Sequence, residues 1–415
     1  MKKQKSQFFW GSSTSSHQVE GDNHNDWSQW EKQNAERLAK EAKNKWTDWQ
    51  ARKFPTMLKA QNYISGKACD HYNRYEKDFN LAKSLSHNAH RFSLEWSRIE
   101  PEEGKFNQEA IEHYRQVILA LKKRELEPFV TIWHWTLPCW LAEKGGIASL
   151  DFPQYFAKFT QKIATEFSGE VKFWITLNEP TVVVGNAYLK GIWPPQKKCP
   201  RLAFRAYKNL LASHNLAYDI LKKVNPESQI GFANNLNFME PYYRYCPADN
   251  FSVWLYYRLA ERMAYKRTAG KNDFLALQYY FHDRIRFPFF RRHENKKVSD
   301  LGWEIYPRGL YELLKRLRKY NLPIYITENG LADQDDSQRK EFIQKHIFWM
   351  QKAIQKGVDV RGYFYWSLLD NFEWDKGFWP RFGLIGIDYR TQKRTIRKSA
   401  VEYRNLFLYG ELEIL

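Results

Sequence analysis

The chain of 415 residues is 43% hydrophobic and 27% charged, so it can bury a large core and lacks the composition of a disordered or fibrous protein. Its formal net charge of +18 raises the question of a nucleic-acid or anionic-membrane partner. Lysine and arginine are scattered over helical patterns beside acidic residues, however, and the densest basic run, residues 284–297, contains no nucleic-acid-binding motif. We therefore predict a basic, solvated surface, with neither nucleic acid nor a membrane as partner.

Aromatic residues make up 17% of the chain, including 17 tryptophans. Flat aromatic rings suit the apolar faces of sugar rings, but a tryptophan-rich core and loop shell would give the same composition. Composition alone leaves both interpretations open.

The N-terminal segment and the cysteines indicate the compartment. The start, MKKQKSQFFWG, is basic but has no apolar stretch of signal-peptide length, and no window approaches the 18 apolar residues of a membrane span. The cysteines are far apart, without a CxxC pair or paired histidines: Cys69, Cys139, Cys199 and Cys246. These features predict free thiols in the cytoplasm and no metal site.

Eight short segments rich in Val, Ile, Phe and Trp follow one another along the chain, with helical patterns between them. One of these patterns is the amphipathic stretch 107–126, and such alternation indicates a parallel sheet covered by helices. Eight strands favour an α/β fold, with one (β/α)8 TIM barrel that forms a single domain over residues 1–415. No GxGxxG or Walker-type loop follows any of these strands, so the usual sequence signs of nucleotide binding are absent. The predicted strands are QFFWG near residue 8, HRFSLEW (90–96), PFVTIWHW (128–135), VKFWITLNEP (171–180), QIGFANN (229–235), DFLALQYY (273–280), PIYITENG (323–330) and GYFYWSLLD (362–370).

A helical excursion is predicted after the first strand, over residues 31–60. It could form a wall of the functional site or decorate the surface, and its sequence does not decide between the two.

Polar and aromatic residues stand where the predicted strands end, which is the end of a TIM barrel that carries the active site. Two of them are glutamates: Glu179 follows the fourth strand and Glu328 lies in the seventh. Two carboxyl groups are what glycoside hydrolysis requires, since one protonates the leaving oxygen while the other attacks the anomeric carbon or activates water. Around them, at other strand ends, lie Arg91, His134, Trp135, Asn178, Tyr279, Tyr280, Asn329, Trp366, Asp370, Glu373 and Trp374.

A series of motifs extends over almost the whole chain: FFWGSSTSSHQVEG, HRFSLEWSRIEP, TIWHWTLPCWL, FWITLNEP, LGWEIYPRGL, IYITENG, GYFYWSLLDNFEW and RFGLIGIDY. In these motifs and in their order the chain resembles the family 1 glycoside hydrolases, the family of β-glucosidases and β-galactosidases. The resemblance implies a TIM barrel and a retaining β-glycosidase that needs no cofactor.

The resemblance also implies a role for each matching residue. Glu179 matches the acid/base and Glu328 the nucleophile, with Arg91 and Tyr280 as neighbours of the nucleophile. The remaining matches concern the substrate: Gln18, His134, Asn178, Glu373 and Trp374 hold hydroxyls of the cleaved sugar, Trp366 is the platform beneath it, Phe382 lies near its hydroxymethyl group, and Trp303 is at the leaving-group site.

The charges expected around the two glutamates agree with those roles. A fixed Arg91 cation and a Tyr280 hydroxyl would favour the ionised form of Glu328. The negative charge of Glu328 would in turn raise the pKa of Glu179 and keep it protonated. Asn178 could donate to the 2-hydroxyl of the sugar, a contact that strengthens in the transition state.

The chain departs from the family pattern in two places. Gln278 stands where the family usually has Asn, and the stretch 235–272 is shorter than usual, which leaves the leaving-group preference open. Relatives acting on 6-phosphorylated sugars have Ser, Lys and Tyr where this chain has Glu373, Pro380 and Phe382. Because a carboxylate would repel a phosphate, we expect unphosphorylated substrates.

The predicted function is hydrolysis of terminal β-D-glucosyl residues, and also of β-D-galactosyl or fucosyl residues, from small β-glycosides or β-linked oligosaccharides. Two alternatives stand beside it. A transglycosylase would share the first chemical step, and a catalytically silent sugar-binding barrel would normally have lost one of the two glutamates, both of which are present.

Overall fold

The computed structural model describes residues 8–292 and 297–408, and in it eight parallel strands close into a barrel in the order β1-β11-β10-β7-β5-β4-β3-β2. The prediction of a TIM barrel is confirmed, and each of the eight predicted strands coincides with a barrel strand. The basic N-terminal start and residues 293–296 of the basic run lie outside the described residues. The barrel strands are β1 (Phe9–Ser13), β2 (Ala89–Ser93), β3 (Glu127–Trp133), β4 (Phe173–Asn178), β5 (Gln229–Asn235), β7 (Leu275–Gln278), β10 (Ile324–Asn329) and β11 (Val360–Trp366).

Helices lie between the strands, as the alternating pattern predicts. No helix within 8–292 and 297–408 is long and apolar enough to cross a membrane. Five 3-10 turns and two π-helical segments, Gly185–Lys190 and Arg262–Lys266, complete these connections. The α-helices are α1 (Ser16–Val19), α2 (Asp26–Lys45), α3 (Asp48–Lys53), α4 (His71–Ser84), α5 (Trp96–Ile99), α6 (Gln108–Lys123), α7 (Cys139–Glu143), α8 (Phe152–Phe167), α9 (Pro180–Val184), α10 (Pro200–Val224), α11 (Pro247–Glu261), α12 (Arg308–Leu317), α13 (Arg339–Gln355) and α14 (Lys398–Leu408).

The amphipathic stretch 107–126 forms α6, which begins and ends slightly inside the predicted bounds. The Asn107 side chain accepts hydrogen bonds from the backbone N–H groups of Glu109 and Ala110, so it caps the helix. The helix ends before Glu125, whose φ of +56° is left-handed.

Aromatic side chains fill the barrel interior near the N-terminal ends of the strands. The rings of Phe129 and Phe173 stack with centroids 4.3 Å apart, and Phe9, Tyr325 and Phe364 meet them edge-on or tilted. Strands buried on both faces explain the continuous apolar runs in the sequence. Because this end is a packed core, the polar residues collect at the opposite, C-terminal end.

Two small sheets outside the barrel were not predicted. A three-stranded sheet contains β6 (Phe238–Pro241), β8 (His282–Arg286) and β9 (Phe290–Arg292), and a hairpin contains β12 (Ile385–Asp388) and β13 (Lys393–Ile396). These strands have three to five residues and carry charged side chains, so they lack the apolar run that identifies a barrel strand.

The excursion over residues 31–60 is helical, as predicted, and supports the functional cavity from behind. None of these described residues lines that cavity. Phe54 and Met57 belong to one buried cluster with Trp366 and Phe382, which do line it. The excursion is therefore neither a wall nor a decoration but packing behind the wall.

Asp370 anchors the loop that follows β11. Its carboxylate accepts hydrogen bonds from Arg397 at 2.7 and 2.9 Å and from the N–H groups of Gly383 and Ile387. Burial raises the pKa of Asp370, but the charge and hydrogen bonds of Arg397, together with the charges of Arg381 and Arg339, outweigh burial and hold this pKa below its ordinary value. The loop therefore depends on a buried ion pair.

We predict that Asp370→Asn lowers the free energy of unfolding by about 3 kcal/mol, because it leaves the Arg397 charge buried and unpaired. Urea denaturation followed by tryptophan fluorescence measures the effect. The matched control is Asp359→Asn, which removes the exposed pair with Arg361 and should cost under about 1 kcal/mol. Equal denaturation midpoints for the two variants would contradict the anchoring role.

Candidate active site

A cavity of about 700 Å³ opens at the C-terminal ends of the barrel strands. Eleven of the twelve site residues predicted from the sequence line it, while Arg91 is fully buried beside them. The eleven are Gln18, His134, Asn178, Glu179, Tyr280, Trp303, Glu328, Trp366, Glu373, Trp374 and Phe382.

Glu328 receives hydrogen bonds on both of its carboxylate oxygens. The guanidinium of Arg91 and the side-chain amide of Gln278, at 2.6 Å, donate to Oε1, and the Tyr280 hydroxyl donates to Oε2 at 2.7 Å. Burial raises the pKa of Glu328 above its ordinary value, although the charge of Arg91 and the hydrogen bonds from Tyr280 and Arg91 lower it. These three contributions offset part of the cost of holding an ionised carboxylate in a buried site.

Irregular strand pairing brings Glu328 to this position. The register between β10 and β7 shifts between Ile326 and Glu328, which sets Glu328 opposite Gln278. A similar shift in β4 lies between Ile175 and Asn178. Such bulges re-aim side chains and are common beside active sites.

Glu179 follows β4 and has a left-handed backbone, with φ at +44°. The side-chain amide of Asn235 donates to its Oε1 at 2.7 Å, and its hydrogen bonds include no cation. Burial and the negative charge of Glu328 raise the pKa of Glu179 well above its ordinary value. Glu179 therefore holds its proton at a pH where Glu328 is ionised.

Asn178 connects the surroundings of Glu328 to His134. Its Oδ1 accepts from Arg91 at 2.7 Å and from Gln278 at 2.8 Å, and its Nδ2 lies 3.0 Å from Nε2 of His134. Burial lowers the pKa of His134 well below its ordinary value, so its ring is neutral. The neutral ring accepts from Asn178 and leaves Nδ1, which has no partner among the described residues, free to donate.

Gln18 and Glu373 form a second polar group in the cavity. Gln18 donates to the Phe372 carbonyl at 2.8 Å and to Oε2 of Glu373 at 3.2 Å, and its own oxygen accepts from Ser15. Burial raises the pKa of Glu373 to about 8. This pair offers donors and acceptors of fixed orientation, as recognition of neighbouring sugar hydroxyls requires.

Aromatic rings complete the cavity. His134 stacks at 6.1 Å from Trp366 and 6.0 Å from Trp374, and the ring centroids of Trp303 and Phe382 are 6.1 Å apart. Flat rings beside oriented polar groups can bind a sugar by both its faces and its hydroxyls.

Three residues at the strand ends serve the fold instead of the cavity. Asp370 anchors its loop, the hydroxyl of Tyr279 donates to the Tyr306 carbonyl, and Asn329 is bonded to Tyr279 and Tyr363. None of the three lines the cavity.

Two hydrogen-bond donors of this cavity were not predicted as site residues from the sequence. Asn235 contacts Glu179 and stands at the end of β5, so the rule that identified Asn178 at the end of β4 could have found it. Gln278 was noted only as a departure from the family pattern, whereas the structure gives it contacts to both Glu328 and Asn178.

The chain is similar to several known glycosidases. Beta-glucosidase A of Thermotoga maritima is 36% identical over 393 residues, which cover 83% of this chain and 88% of that protein. Beta-glucosidase A of Acetivibrio thermocellus is 30% identical, with 96% and 97% of the two chains covered. A beta-galactosidase of Sulfolobus acidocaldarius is 31% identical, with 81% and 83% covered.

The fold is similar to that of solved structures as well. The Thermotoga maritima beta-glucosidase in complex with glucoimidazole superimposes with a TM-score of 0.87 and 32% identity, and each chain is covered completely. The family model described as glycosyl hydrolase family 1 matches residues 1–250 and 258–409. By sequence over nearly its whole length, and by fold, the chain belongs to glycosyl hydrolase family 1.

Proposed function

We propose that this enzyme hydrolyses terminal β-D-glucosyl residues, and also β-D-galactosyl or fucosyl residues, with net retention at the anomeric carbon. The observation that carries the proposal is the unequal setting of two buried glutamates in one cavity: Glu328 receives a cation and two further donors, while Glu179 receives one amide. Relatives named beta-glucosidase and beta-galactosidase support the substrate class.

In the first step, an oxygen of Glu328 attacks the anomeric carbon while the bond to the leaving oxygen breaks. Glu179 gives its proton to that oxygen, so the leaving group departs as a neutral alcohol. Glu328 loses its negative charge when it bonds to the sugar, and this charge is one of the causes that raise the pKa of Glu179. The pKa of Glu179 therefore falls, so Glu179 can remain ionised after it has given up its proton.

In the second step, the ionised Glu179 takes a proton from water as the water oxygen attacks the anomeric carbon. The bond to Glu328 breaks, and both glutamates return to their starting protonation states. An acceptor sugar in place of water would give transglycosylation by the same route. A silent binding barrel is disfavoured because both glutamates and their hydrogen-bond donors are present.

The polar groups suggest how the cleaved sugar is held. Asn178 is assigned to the 2-hydroxyl and His134 to a neighbouring hydroxyl that is not specified, while Gln18 and Glu373 take the 4-hydroxyl, with Glu373 also reaching the 6-hydroxyl. A phosphate on that hydroxyl would have to be buried beside the Glu373 carboxyl, which offers the phosphate no positive charge and repels it once the pH rises through about 8. We therefore propose unphosphorylated substrates.

Retention of configuration tests the proposal directly. Because two inversions occur in sequence, the first sugar formed from an aryl β-glucoside should be the β-anomer. Proton NMR during the first minutes, before mutarotation, measures the configuration. Initial release of the α-anomer would overturn the assignment of Glu328 as nucleophile.

Azide rescue separates the two glutamates. In Glu179→Ala, a dinitrophenyl β-glucoside needs little protonation, so the glycosyl-enzyme should form and azide should convert it to the β-glycosyl azide. In Glu328→Ala, azide should attack the substrate directly and give the α-glycosyl azide. Products with the two configurations exchanged would show that the roles are reversed.

We propose that Gln278 positions the proposed nucleophile, Glu328, and stabilises its negative charge. Gln278→Leu removes a donor to Glu328, so the pKa of Glu328 should rise, the acid limb of the kcat/KM profile should move to higher pH, and kcat/KM should fall about 10-fold to 100-fold. The control is Gln116→Leu on the exposed face of α6, which should change neither quantity. An unmoved acid limb in Gln278→Leu would contradict the role.

A further inference from the structure

The outer part of the cavity has an apolar wall beyond the residues assigned to the cleaved sugar. Leu259 of α11, Met263 of the following π-helical segment and Phe289 of the turn between β8 and β9 line it, and they are 46%, 40% and 52% exposed. Apolar side chains this exposed at the mouth of a cavity mark a surface for an apolar group.

Three cationic side chains line the same outer region: Lys190, Arg291 and Lys376. Lys376 lies 2.6 Å from Asp375, and Arg291 lies 3.2 Å from Asp283. Lys190 contacts only the side-chain oxygen of Asn186, at 3.2 Å, and within residues 8–292 and 297–408 it forms no ion pair.

Arg291 and Lys376 are close enough to Lys190 to repel its charge. Burial, followed by the positive charges of Arg291 and Lys376, lowers the pKa of Lys190, and the negative charge of Asp375 offsets part of this effect. The apolar wall therefore ends at an exposed amine that forms no ion pair within the described residues.

This amine lines the same cavity as Trp303, the residue proposed at the leaving-group site. Glu179 is followed directly by α9 and then by the π-helical segment that ends at Lys190. A helical segment of this length spans roughly 15 Å, so Lys190 is too far from Glu179 to reach the glycosidic oxygen. It is in a position to meet the far end of a leaving group one or two rings long.

We infer that the enzyme prefers β-glycosides whose leaving group is a flat apolar body that ends in an anionic group such as a carboxylate. The apolar wall would cover the body, and the anion would offset the repulsion that Arg291 and Lys376 exert on Lys190. This inference rests on the proposed function and adds the chemical class of the leaving group.

The test compares the β-glucoside of 7-hydroxycoumarin-4-acetic acid with the β-glucoside of the corresponding amide. The two leaving groups have nearly the same shape, and only the first carries a charge remote from the bond that breaks. We expect kcat/KM to be about five-fold higher for the acid than for the amide at low salt, the effect of one added ion pair in water-like surroundings. The ratio should fall towards one in 0.5 M NaCl, where screening is strong.

Substitutions locate the effect. Lys190→Gln and Arg291→Gln should each lower the acid-to-amide ratio, while Lys208→Gln, which removes the same charge from α10 outside the cavity, should not. An acid-to-amide ratio of one or less in the unmodified enzyme would overturn the inference. So would a ratio that neither Lys190→Gln nor Arg291→Gln changes. Absence of hydrolysis of both glucosides and of other neutral aryl β-glycosides would overturn the proposed function itself, and the inference with it.

Discussion

One buried guanidinium holds the catalytic end of the barrel together. Arg91, on β2, donates to Thr131 on β3, Asn178 on β4 and Glu328 on β10. A buried cation is costly unless every donor is satisfied, and here the partners are the strand ends themselves. The arginine therefore fixes the relative positions of these strands, and its charge lowers the pKa of Glu328 against the larger, raising effect of burial.

Glu179 differs from Glu328 in its pKa because it has no cation as a hydrogen-bond partner among the described residues. Glu179 shares the cavity and the burial of Glu328 but has an amide, Asn235, where Glu328 has a cation. In the proposed mechanism, two identical side chains thus serve as acid and nucleophile because of their neighbours alone. Gln278, which contacts Glu328 and Asn178 together, adds to this asymmetry on the side of Glu328.

The fold and the inner part of the site follow from local sequence to a large extent. Strands buried on both faces give continuous apolar runs, and residues such as Asn178 and Glu328 interrupt or end these runs at the functional end. The contact between Gln278 and Glu328 depends on a register shift in β10 that no local pattern encodes.

The small sheets and the three cations of the outer cavity, Lys190, Arg291 and Lys376, could not be predicted from the sequence for another reason. Their strands are short and charged, and Lys190 and Arg291 come together only because segments a hundred residues apart fold over the same opening. The periodicity of apolar residues describes one segment of the chain, whereas this group of cations depends on how separate segments are arranged in the fold.

The contact between Asn235 and Glu179 has a consequence for the placement of the acidic proton. In a protonated carboxyl, an N–H group donates preferentially to the oxygen that carries no hydrogen, and Asn235 donates to Oε1. When Glu179 is protonated, this contact therefore favours the hydrogen on Oε2. In the proposed mechanism Glu179 delivers its proton from that oxygen without rotating, and the same oxygen is vacant when water later loses its proton.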